Sequence, residues 1–458
     1  MPTRAYLRQG LRAPISVRVI GIAVGVALLG GLAIQVVRPS LTHPAVTADL
    51  EAPAEVKQIL KKSCYDCHSN ETRLAWFDEV APAYWIVVRD VNEARQHLNF
   101  SEIAKLSRNE QSAKLFEAVS QVQLGAMPLP GYVRLHPGAN VSSGELQVLR
   151  NYVGSLAAPV ASGSDPAPAA NPSEVEPALN GITIPRDYRN WKPVSSTDRF
   201  DNGTMRAILG NEIAMQAIAE NRMNPWPDGT AFAKVAWWQR RDEQRIVHAG
   251  AFAQVEFMIR DRRKFASTKG WGWARWRGSE LMPYGHDASF SNECVACHTP
   301  VRENDYVFTM PIVAGANRSQ PNPHARTQLN REASLEGLPV DVFAQKVITS
   351  WIDPRNGTMS TLYGNDIAAE HARNRVAGQP YPEGSALTAV TWKQQEDARW
   401  FGGRIPGAVV SVEIVTAAPT YSYREFEGSP LKLVHSGTQP TADGRAAYLL
   451  AQAASPMP

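Results

Sequence analysis

Cysteine is scarce in this chain, with four residues in 458, and no strong excess of either charge is present. The formal net charge of +3 and the absence of a Lys/Arg-rich run argue against a nucleic-acid-binding protein. A charged fraction of 20% and a hydrophobic fraction of 44% exclude overall disorder and allow sizeable cores. The length indicates roughly three domains.

All four cysteines fall in two copies of the motif Cys-x-x-Cys-His, so none is left over for a disulfide framework. Two thiols at this spacing can each form a thioether with a porphyrin vinyl group, and the adjacent histidine then reaches the iron. A zinc ribbon would need a second cysteine pair nearby, whereas these two pairs lie far apart in the chain. The motifs therefore predict two covalently bound c-type haems, on Cys64, Cys67 and His68 and on Cys294, Cys297 and His298.

An uncharged apolar run covers Val19–Val37, with Gln35 as its single polar side chain. A helix of about 20 apolar residues can cross a bilayer. Four arginines precede the run and one follows it closely, a bias that places the N-terminus in the cytoplasm. The pattern predicts a single-pass anchor in the bacterial inner membrane, with the body of the chain in the periplasm. A cleaved signal peptide is the alternative.

Changes in composition and periodicity divide the chain into six segments. Helical spacing of apolar residues predicts an all-α, cytochrome c-like domain after the anchor. From residue 182 onward, apolar strand-like runs and a helix predicted over 198–222 indicate an α+β fold. The predicted segments are a cytoplasmic tail and anchor (1–38), the helical haem-binding domain (39–157), a Pro/Ala-rich linker (158–181), a second haem domain (182–312), a connector (313–339) and a further α+β segment (340–458).

The last segment repeats the pattern of the second haem domain. The tetrapeptide NGTM at 202–205 recurs at 356–359, and Trp237 corresponds to Trp392. The offset stays nearly constant, which indicates a duplicated fold rather than chance agreement between turns. The second copy has no cysteine and therefore lacks a covalent haem site.

The first haem has a candidate sixth ligand in Met127, which lies in the segment GAMPLP after the third predicted helix. A thioether ligand would close the iron and suit electron transfer. A packing methionine is the alternative, and His136 and His97 are rival ligands.

Two family resemblances follow from these residues. Residues 36–155 resemble the small haem-binding domain of bacterial exported proteins, through CYDCHSNET at 64–72 and MPLPGYVRLHPGA at 127–139. Residues 186–312 resemble the cytochrome P460 family, through Pro227–Thr230, Lys234, the second haem motif and DYVFT at 305–309. The resemblance implies an antiparallel sheet with packed helices, an open distal side and homodimers. We therefore expect a transmembrane helix, an all-α domain and two α+β cytochrome P460-like repeats, with the haemless repeat packed against the other as a fused partner.

The cytochrome P460 resemblance also implies candidates for the chemistry at the second haem. Some members carry a lysine crosslinked to the haem ring, and Lys234 is the candidate here, with Lys264 and Lys269 as alternatives. Glu256 is a candidate proton acceptor, and Asp228 is another of the right type. The presence of Glu413 at the equivalent position of the haemless copy leaves a structural role for Glu256 open. Other residues that could ligate the second iron are Met282, His286 and Met310.

Two functions remain open at this point. The chain is either a membrane-anchored dihaem electron carrier serving redox partner proteins in the periplasm or membrane, or an oxidoreductase acting on hydroxylamine or nitric oxide at the second haem. In the second case the first haem is the electron relay. The state of the sixth position of the second haem distinguishes them, because a filled position indicates electron transfer and an open one indicates an enzyme. A sensor without turnover ranks last, because no output domain is visible.

Overall fold

The computed structural model describes residues 17–157, 159–162, 175–314, 329–374, 379–418, 421–437 and 444–458. The chain forms two compact units. One comprises Met1–Gln111 with Val133–Val141, and the other comprises Ser112–Tyr132 with Ser142–Pro458. Parts of the predicted linker and connector, 163–174 and 315–328, lie outside the described residues.

Helices dominate the part of the chain that matches the predicted haem-binding domain. The expected helical spacing of apolar residues is visible in the helix Ala54–Ser63, where Val56, Ile59 and Leu60 form the buried face. The last of these helices is capped by Ser142, whose side chain and Glu145 form a reciprocal capping box. The helices are α1 (Val17–Ile34), α2 (Ala54–Ser63), α3 (Tyr65–His68), α4 (Ala83–His97), α5 (Arg108–Gln123), α6 (Pro130–Leu135) and α7 (Ser143–Gly154).

The predicted transmembrane span Val19–Val37 is wrong. Within the described ranges, no helix combines the length and the apolar character that crossing a bilayer requires. α1 ends at Ile34, and the Gln35 side chain then exchanges two hydrogen bonds with the Ala81 backbone, at 3.1 and 2.9 Å. The expected end of the span is thus bound to the haem-binding domain. The predictions of a membrane anchor and of a single-pass inner-membrane protein fail with it.

A 13-stranded sheet makes up most of the second unit. Its strands follow the order β1-β4-β3-β2-β13-β12-β11-β10-β5-β6-β7, with β4 also pairing with β5 and with β14 and β15 added beside β13. The strands are β1 (Ala161–Ser162), β2 (Lys192–Arg199), β3 (Thr204–Gly210), β4 (Ala231–Arg241), β5 (Val247–Arg260), β6 (Trp271–Arg277), β7 (Met282–Pro283), β10 (Lys346–Asp353), β11 (Thr358–Gly364), β12 (Ala386–Glu396), β13 (Gly403–Thr416), β14 (Ser422–Glu427) and β15 (Lys432–Gly437). A separate parallel pair consists of β8 (Ile312–Ala314) and β9 (Asn330–Leu335). The helices of this unit's sheet region are α8 (Glu212–Ala219), α9 (Phe290–His298), α10 (Asp366–Asn374) and α11 (Arg445–Ala451).

The expectation of two α+β repeats is also wrong. Residues 182–312, here called the first segment, and residues 340–458, the haemless segment, contribute strands to the same sheet. β13 pairs with β2 at one seam, and β10 pairs with β5 at the other. Strands β2 to β5 have 8, 7, 11 and 14 residues, and β10 to β13 have the same four lengths. The two segments therefore share a pattern of strand lengths and an interface. At each of the two junctions, a strand of 14 residues from one segment pairs with a strand of eight residues from the other.

The helix predicted over 198–222 is largely absent. Its first part forms strands β2 and β3, and the helix α8 covers only Glu212–Ala219. All seven residues of β3 are buried, on both faces of the sheet. When a strand is covered on both faces, its sequence shows no alternation of apolar and polar residues. Such an apolar stretch cannot be distinguished from a buried helix by its period.

One hydrophobic core lies between the two segments, and each segment has a further core on its outer face. Val235 and Trp237 from β4 share the common core with Val390 and Trp392 from β12. The outer core of the first segment includes Trp271, Trp273 and Phe232, and that of the second includes Trp351, Leu387 and Leu449. This division places the second haem motif over the outer face of the first segment.

Candidate haem sites

The first motif lies on the short helix α3, and its histidine is held by the backbone. The Nδ1 atom of His68 is 3.0 Å from the carbonyl oxygen of Leu98, and the Phe100 amide donates to the His68 carbonyl at 2.7 Å. Burial lowers the pKa of His68, which favours the neutral imidazole. Because Nδ1 carries the proton that bonds to Leu98, Nε2 is the nitrogen that can ligate iron.

The second motif lies at the end of α9, and its histidine is held in the same way. The Nδ1 atom of His298 is 2.7 Å from the carbonyl oxygen of Tyr306. Asp305 and Tyr306 both have left-handed backbones, with φ of 50° and 66°, which turn the chain back toward α9. The Asp305 carboxylate accepts from the Trp226 amide at 2.9 Å and thereby fixes this turn.

The His298 ring is enclosed by aromatic side chains. Its centroid is 4.5 Å from that of Trp273 and 4.9 Å from that of Phe308. Burial lowers the pKa of His298 to about 4, so the imidazole is neutral at physiological pH. Neutral imidazole is the form that binds a metal.

The four thiols lack the lowered pKa that a redox dithiol typically has. None of them forms a disulfide, and all are partly buried. Burial raises the pKa of Cys64 and Cys297 to about 12 and of Cys67 and Cys294 to about 11. A redox-active Cys-x-x-Cys pair typically needs a lowered thiol pKa.

The environment of His298 fits a haem. The Nε1 atom of Trp273 is buried and has no hydrogen-bond partner among the described residues, although the side chain is only 3% exposed. Such an orphan donor beside a neutral histidine marks a place where a further group belongs. Together with two thiols at the thioether spacing, this donor set matches a covalently attached haem.

A charged row crosses the outer face of the first segment close to this site. Lys234, Glu256 and Arg275 lie directly opposite one another on β4, β5 and β6. The Lys234 Nζ is 2.6 Å from the Glu256 Oε2, and the Arg275 Nε is 3.5 Å from Oε1. All three residues influence the pKa of His298 through their charges, which places the row within electrostatic reach of the haem ligand.

Burial and mutual attraction set the charge states in this row. Burial lowers the pKa of Lys234 to about 8, despite the opposing effect of Glu256. Burial alone would raise the pKa of Glu256, but Arg275, Lys234 and Arg206 hold it far below its usual range. Glu256 is therefore a carboxylate paired with cations, and Lys234 loses its proton more easily than an exposed lysine.

The haemless segment contains the same glutamate in a different setting. Glu413 is 2% exposed and receives hydrogen bonds from Arg445 on α11, at 2.7 Å, and from Tyr423, at 2.8 Å. Both glutamates thus anchor cations on the outer face of their segment. This similarity supports the structural role that the sequence left open for Glu256, whereas its role as a proton acceptor stays a prediction.

The structure separates Lys234 from its alternatives. Lys264 and Lys269 are exposed, whereas the Lys234 side chain is 28% exposed and belongs to the charged row. Asp228 is paired with Arg262 at 3.2 Å, and its side chain is 46% exposed. Among the other candidate iron ligands, Met282 is 60% exposed, His286 is exposed and Met310 is partly buried.

The sixth ligand of the first haem stays a prediction. Met127 belongs to the second compact unit, and His68 belongs to the first. The rival His136 has its Nε2 atom 2.9 Å from the Asp78 carboxylate, and the rival His97 is exposed.

Comparison with protein families agrees with both sites. Residues 29–155 match the family described as the haem-binding domain, and residues 185–309 match the family described as cytochrome P460. The chain is a fusion of a haem-binding domain and a cytochrome P460 domain. The first match contains Cys64, Cys67 and His68, and the second contains α9 and the turn that holds His298. A comparison with curated proteins found no match.

Sequence reasoning missed several residues of the cytochrome P460 domain's site. Trp273 and Arg275 share a face of β6 with period two, opposite Met258 and Glu256 of β5. Alternation in the segment WGWARWR could have revealed them. The contribution of Tyr306 could not be read from sequence, because only its backbone carbonyl takes part.

Proposed function

We propose that the chain carries two covalent haems and functions in electron transfer between redox partner proteins. The observation that carries the proposal is common to both motifs. Each motif histidine donates from Nδ1 to a backbone carbonyl, Leu98 or Tyr306, and so presents Nε2 in a fixed orientation. A bound haem would supply one-electron chemistry at its iron. The matches to a haem-binding domain and to cytochrome P460 support a haem-dependent redox protein.

The residues of the chain prepare each site for such a group. Four neutral thiols provide the atoms for thioether bonds, two at each site. Burial keeps His298 neutral, and the rings of Trp273 and Phe308 exclude water from its sides. A protected, apolar setting with a fixed ligand is suited to fast electron transfer because little rearrangement accompanies it.

A second candidate function is an oxidoreductase that acts on hydroxylamine or nitric oxide at the second haem. The charged row favours it, because Lys234 is held beside Glu256 and within electrostatic reach of His298. A lysine with a pKa of about 8 is partly neutral near physiological pH and can act as a nucleophile or proton donor. In this version Lys234 would be the residue that holds the ring of the second haem by a crosslink, Glu256 would be the candidate proton acceptor, and the first haem would be the electron relay.

The test is the number of haems and their optical spectra in the ferrous protein, before and after addition of nitric oxide. Two haems with ordinary low-spin c-type spectra that nitric oxide leaves unchanged support the electron carrier. A strongly red-shifted band, absent in Lys234→Met, supports the enzyme with a crosslinked lysine. A protein with fewer than two thioether-bound haems contradicts the dihaem proposal. Mass spectrometry of the peptides that contain Cys64 and Cys294 assigns each haem to its motif.

A further inference from the structure

A loop of the haemless segment lies against the wall of the second haem site. It spans residues 397–402 and joins β12 to β13. Arg399 in this loop is 7% exposed, and its Nη1 atom donates to the carbonyl oxygen of Phe308 at 2.7 Å and of Val307 at 3.4 Å. The loop is thereby tied to the backbone that follows the turn at Asp305 and Tyr306.

Phe308 connects this loop to the haem ligand. Its ring lies edge-on to the His298 imidazole, with centroids 4.9 Å apart, and edge-on to the Trp400 indole, at 5.8 Å. Two residues earlier, the Tyr306 carbonyl accepts the hydrogen bond from His298 Nδ1. Arg399 and Trp400 thus hold the short segment that both packs on the imidazole and fixes its tautomer.

Trp400 is itself fixed from its other side. Its Nε1 atom donates to the Asp201 carboxylate at 3.1 Å, and the Arg199 guanidinium lies 4.4 Å from the ring centroid. Arg199 and Asp201 are also paired with each other in a buried ion pair. The indole therefore has a defined position, with Phe308 on one edge and a charged pair behind it.

Helix α5 supports the loop from behind. The Phe401 ring stacks on Phe116 at 5.2 Å, and its amide donates to the Ser120 hydroxyl at 3.0 Å. The Gln123 side chain donates to the Ala398 carbonyl at 2.9 Å. These contacts hold the loop rigid, which is what a positioning element requires.

The first segment has a reciprocal loop at the equivalent place. Residues 242–246 join β4 to β5 and reach the haemless segment, where Arg355 donates to the Gln244 carbonyl at 2.7 Å. Ile246 packs against the outer core of that segment. This loop contains no aromatic residue, whereas the loop that faces the haem site reads Asp-Ala-Arg-Trp-Phe-Gly. The aromatic pair is thus confined to the loop that contacts Phe308, the residue that packs on His298.

We propose that Arg399 and Trp400 are positioning residues for His298, and that the haemless segment therefore completes the second haem site. The physical reason is that groups behind a ligating histidine set its orientation and its basicity. If Phe308 and the Tyr306 carbonyl loosen, the imidazole donates less electron density to the iron. This inference rests on the proposed haem at Cys294 and Cys297.

The experiment uses the full chain and four substitutions. Trp400→Leu and Arg399→Met remove the contacts with Phe308, while Arg399→Lys keeps a donor and a charge. Arg355→Gln removes the reciprocal arginine–carbonyl bond at the haemless end and is the matched control. The readouts are haem content, the midpoint potentials of the two haems, and the fraction of the second haem whose histidine is released when nitric oxide is added.

We expect Trp400→Leu and Arg399→Met to raise the potential of the second haem and to increase histidine release, because the ligand is less basic and less fixed. The potential of the first haem is the internal reference and is expected to stay unchanged. Arg399→Lys is expected to keep most of the wild-type potential and of the wild-type histidine binding, and Arg355→Gln is expected to behave as the wild type.

The failure of this inference and the failure of the proposed function give different results. Wild-type potentials and histidine release in both Trp400→Leu and Arg399→Met, at full haem content, overturn the inference. A wild-type protein without haem on Cys294 and Cys297 overturns the proposed function instead. If Trp400→Leu does not fold, Arg399→Met decides. A wild-type potential and wild-type histidine release in that variant, at full haem content, count against the inference.

Discussion

The Nζ atom of Lys234 lies 2.6 Å from the Glu256 carboxylate across two neighbouring strands, and Ala389 faces Glu413 at the equivalent place in the haemless segment. The glutamate is thus present in both segments, but its cation differs. In the first segment the cation is Lys234 of β4, within electrostatic reach of His298, and in the second it is Arg445 from α11. The lysine is therefore associated with the haem site, whereas the glutamate belongs to the common architecture.

The stability of the protein is expected to rise with pH in a window set by Lys234. The pKa of this lysine is about 8 in the folded chain and 10.5 when unperturbed. Between these values the folded chain has lost the proton while the unfolded chain still holds it, so stability increases with pH. Lys234→Met lacks this titration, and its denaturation midpoint is expected to rise less across the same window. Equal pH slopes for the two proteins would contradict the assigned pKa.

Glu413→Gln is expected to destabilise the haemless segment. The substitution removes the charge that binds Arg445 and leaves a buried amide in a site built for a carboxylate. Hydrogen bonds to charged groups contribute about 1.5–3 kcal/mol, and we expect a loss of that size in urea unfolding. Glu427→Gln, at an exposed position of β14, is the control and should change stability little. A loss no larger than that of the control would show that the Arg445 pair is not stabilising.

Gly402→Ala tests the close packing behind the positioning loop. Gly402 has a φ of +92°, and a Cβ atom there would lie 2.6 Å from the Cβ of Asp201 and 2.8 Å from the Phe116 ring. Gly357 also has a positive φ, of +59°, but a Cβ atom at that position would meet no heavy atom within 4 Å. Backbone strain costs each alanine variant about 1–2 kcal/mol, and overpacking adds about 1–3 kcal/mol for Gly402→Ala alone. Thermal unfolding should therefore rank Gly402→Ala well below Gly357→Ala.

Two neighbouring serines offer a test of the capping geometry of α7. The N-cap is Ser142, whose side chain bonds with Glu145, whereas Ser143 is the first residue of the helix. Loss of an N-cap side chain costs about 1 kcal/mol. We expect Ser142→Ala to lower stability by about that amount and Ser143→Ala to have little effect. The reverse order in a denaturation experiment would assign the cap to Ser143.

Local patterns in the sequence were sufficient to predict a haem-binding domain and a cytochrome P460 domain. The spacing of Cys64, Cys67 and His68, and of the second motif, predicts haem attachment because thioether chemistry depends on neighbours in the chain. The helices of the haem-binding domain, such as α2, were readable from apolar spacing for the same reason. The tetrapeptide repeated at 202–205 and 356–359 leads into a strand of seven residues in both places, β3 and β11, while the duplication itself stays a prediction.

The errors arose where an apolar run has more than one physical solution. Val19–Val37 has the composition of a membrane span, but its last residues are bound to the backbone at Ala81 and to Trp85 of α4. The helix expected over 198–222 became β2 and β3 because both faces of β3 are covered, one by the shared core and one by the outer core. Period alone cannot distinguish these cases.

The sequence by itself determined that a haem-binding domain is joined to a cytochrome P460 domain, and it supplied the residue types of the charged row, because each depends on short-range spacing or on composition. Only the tertiary structure decided that Tyr306 orients His298, that β2 and β10 join the two segments into one sheet, and that Arg399 and Trp400 reach the wall of the second haem site. These contacts join residues far apart in the chain, or use backbone atoms that every residue carries. Their partners are chosen by the packing of the whole sheet, which no local pattern encodes.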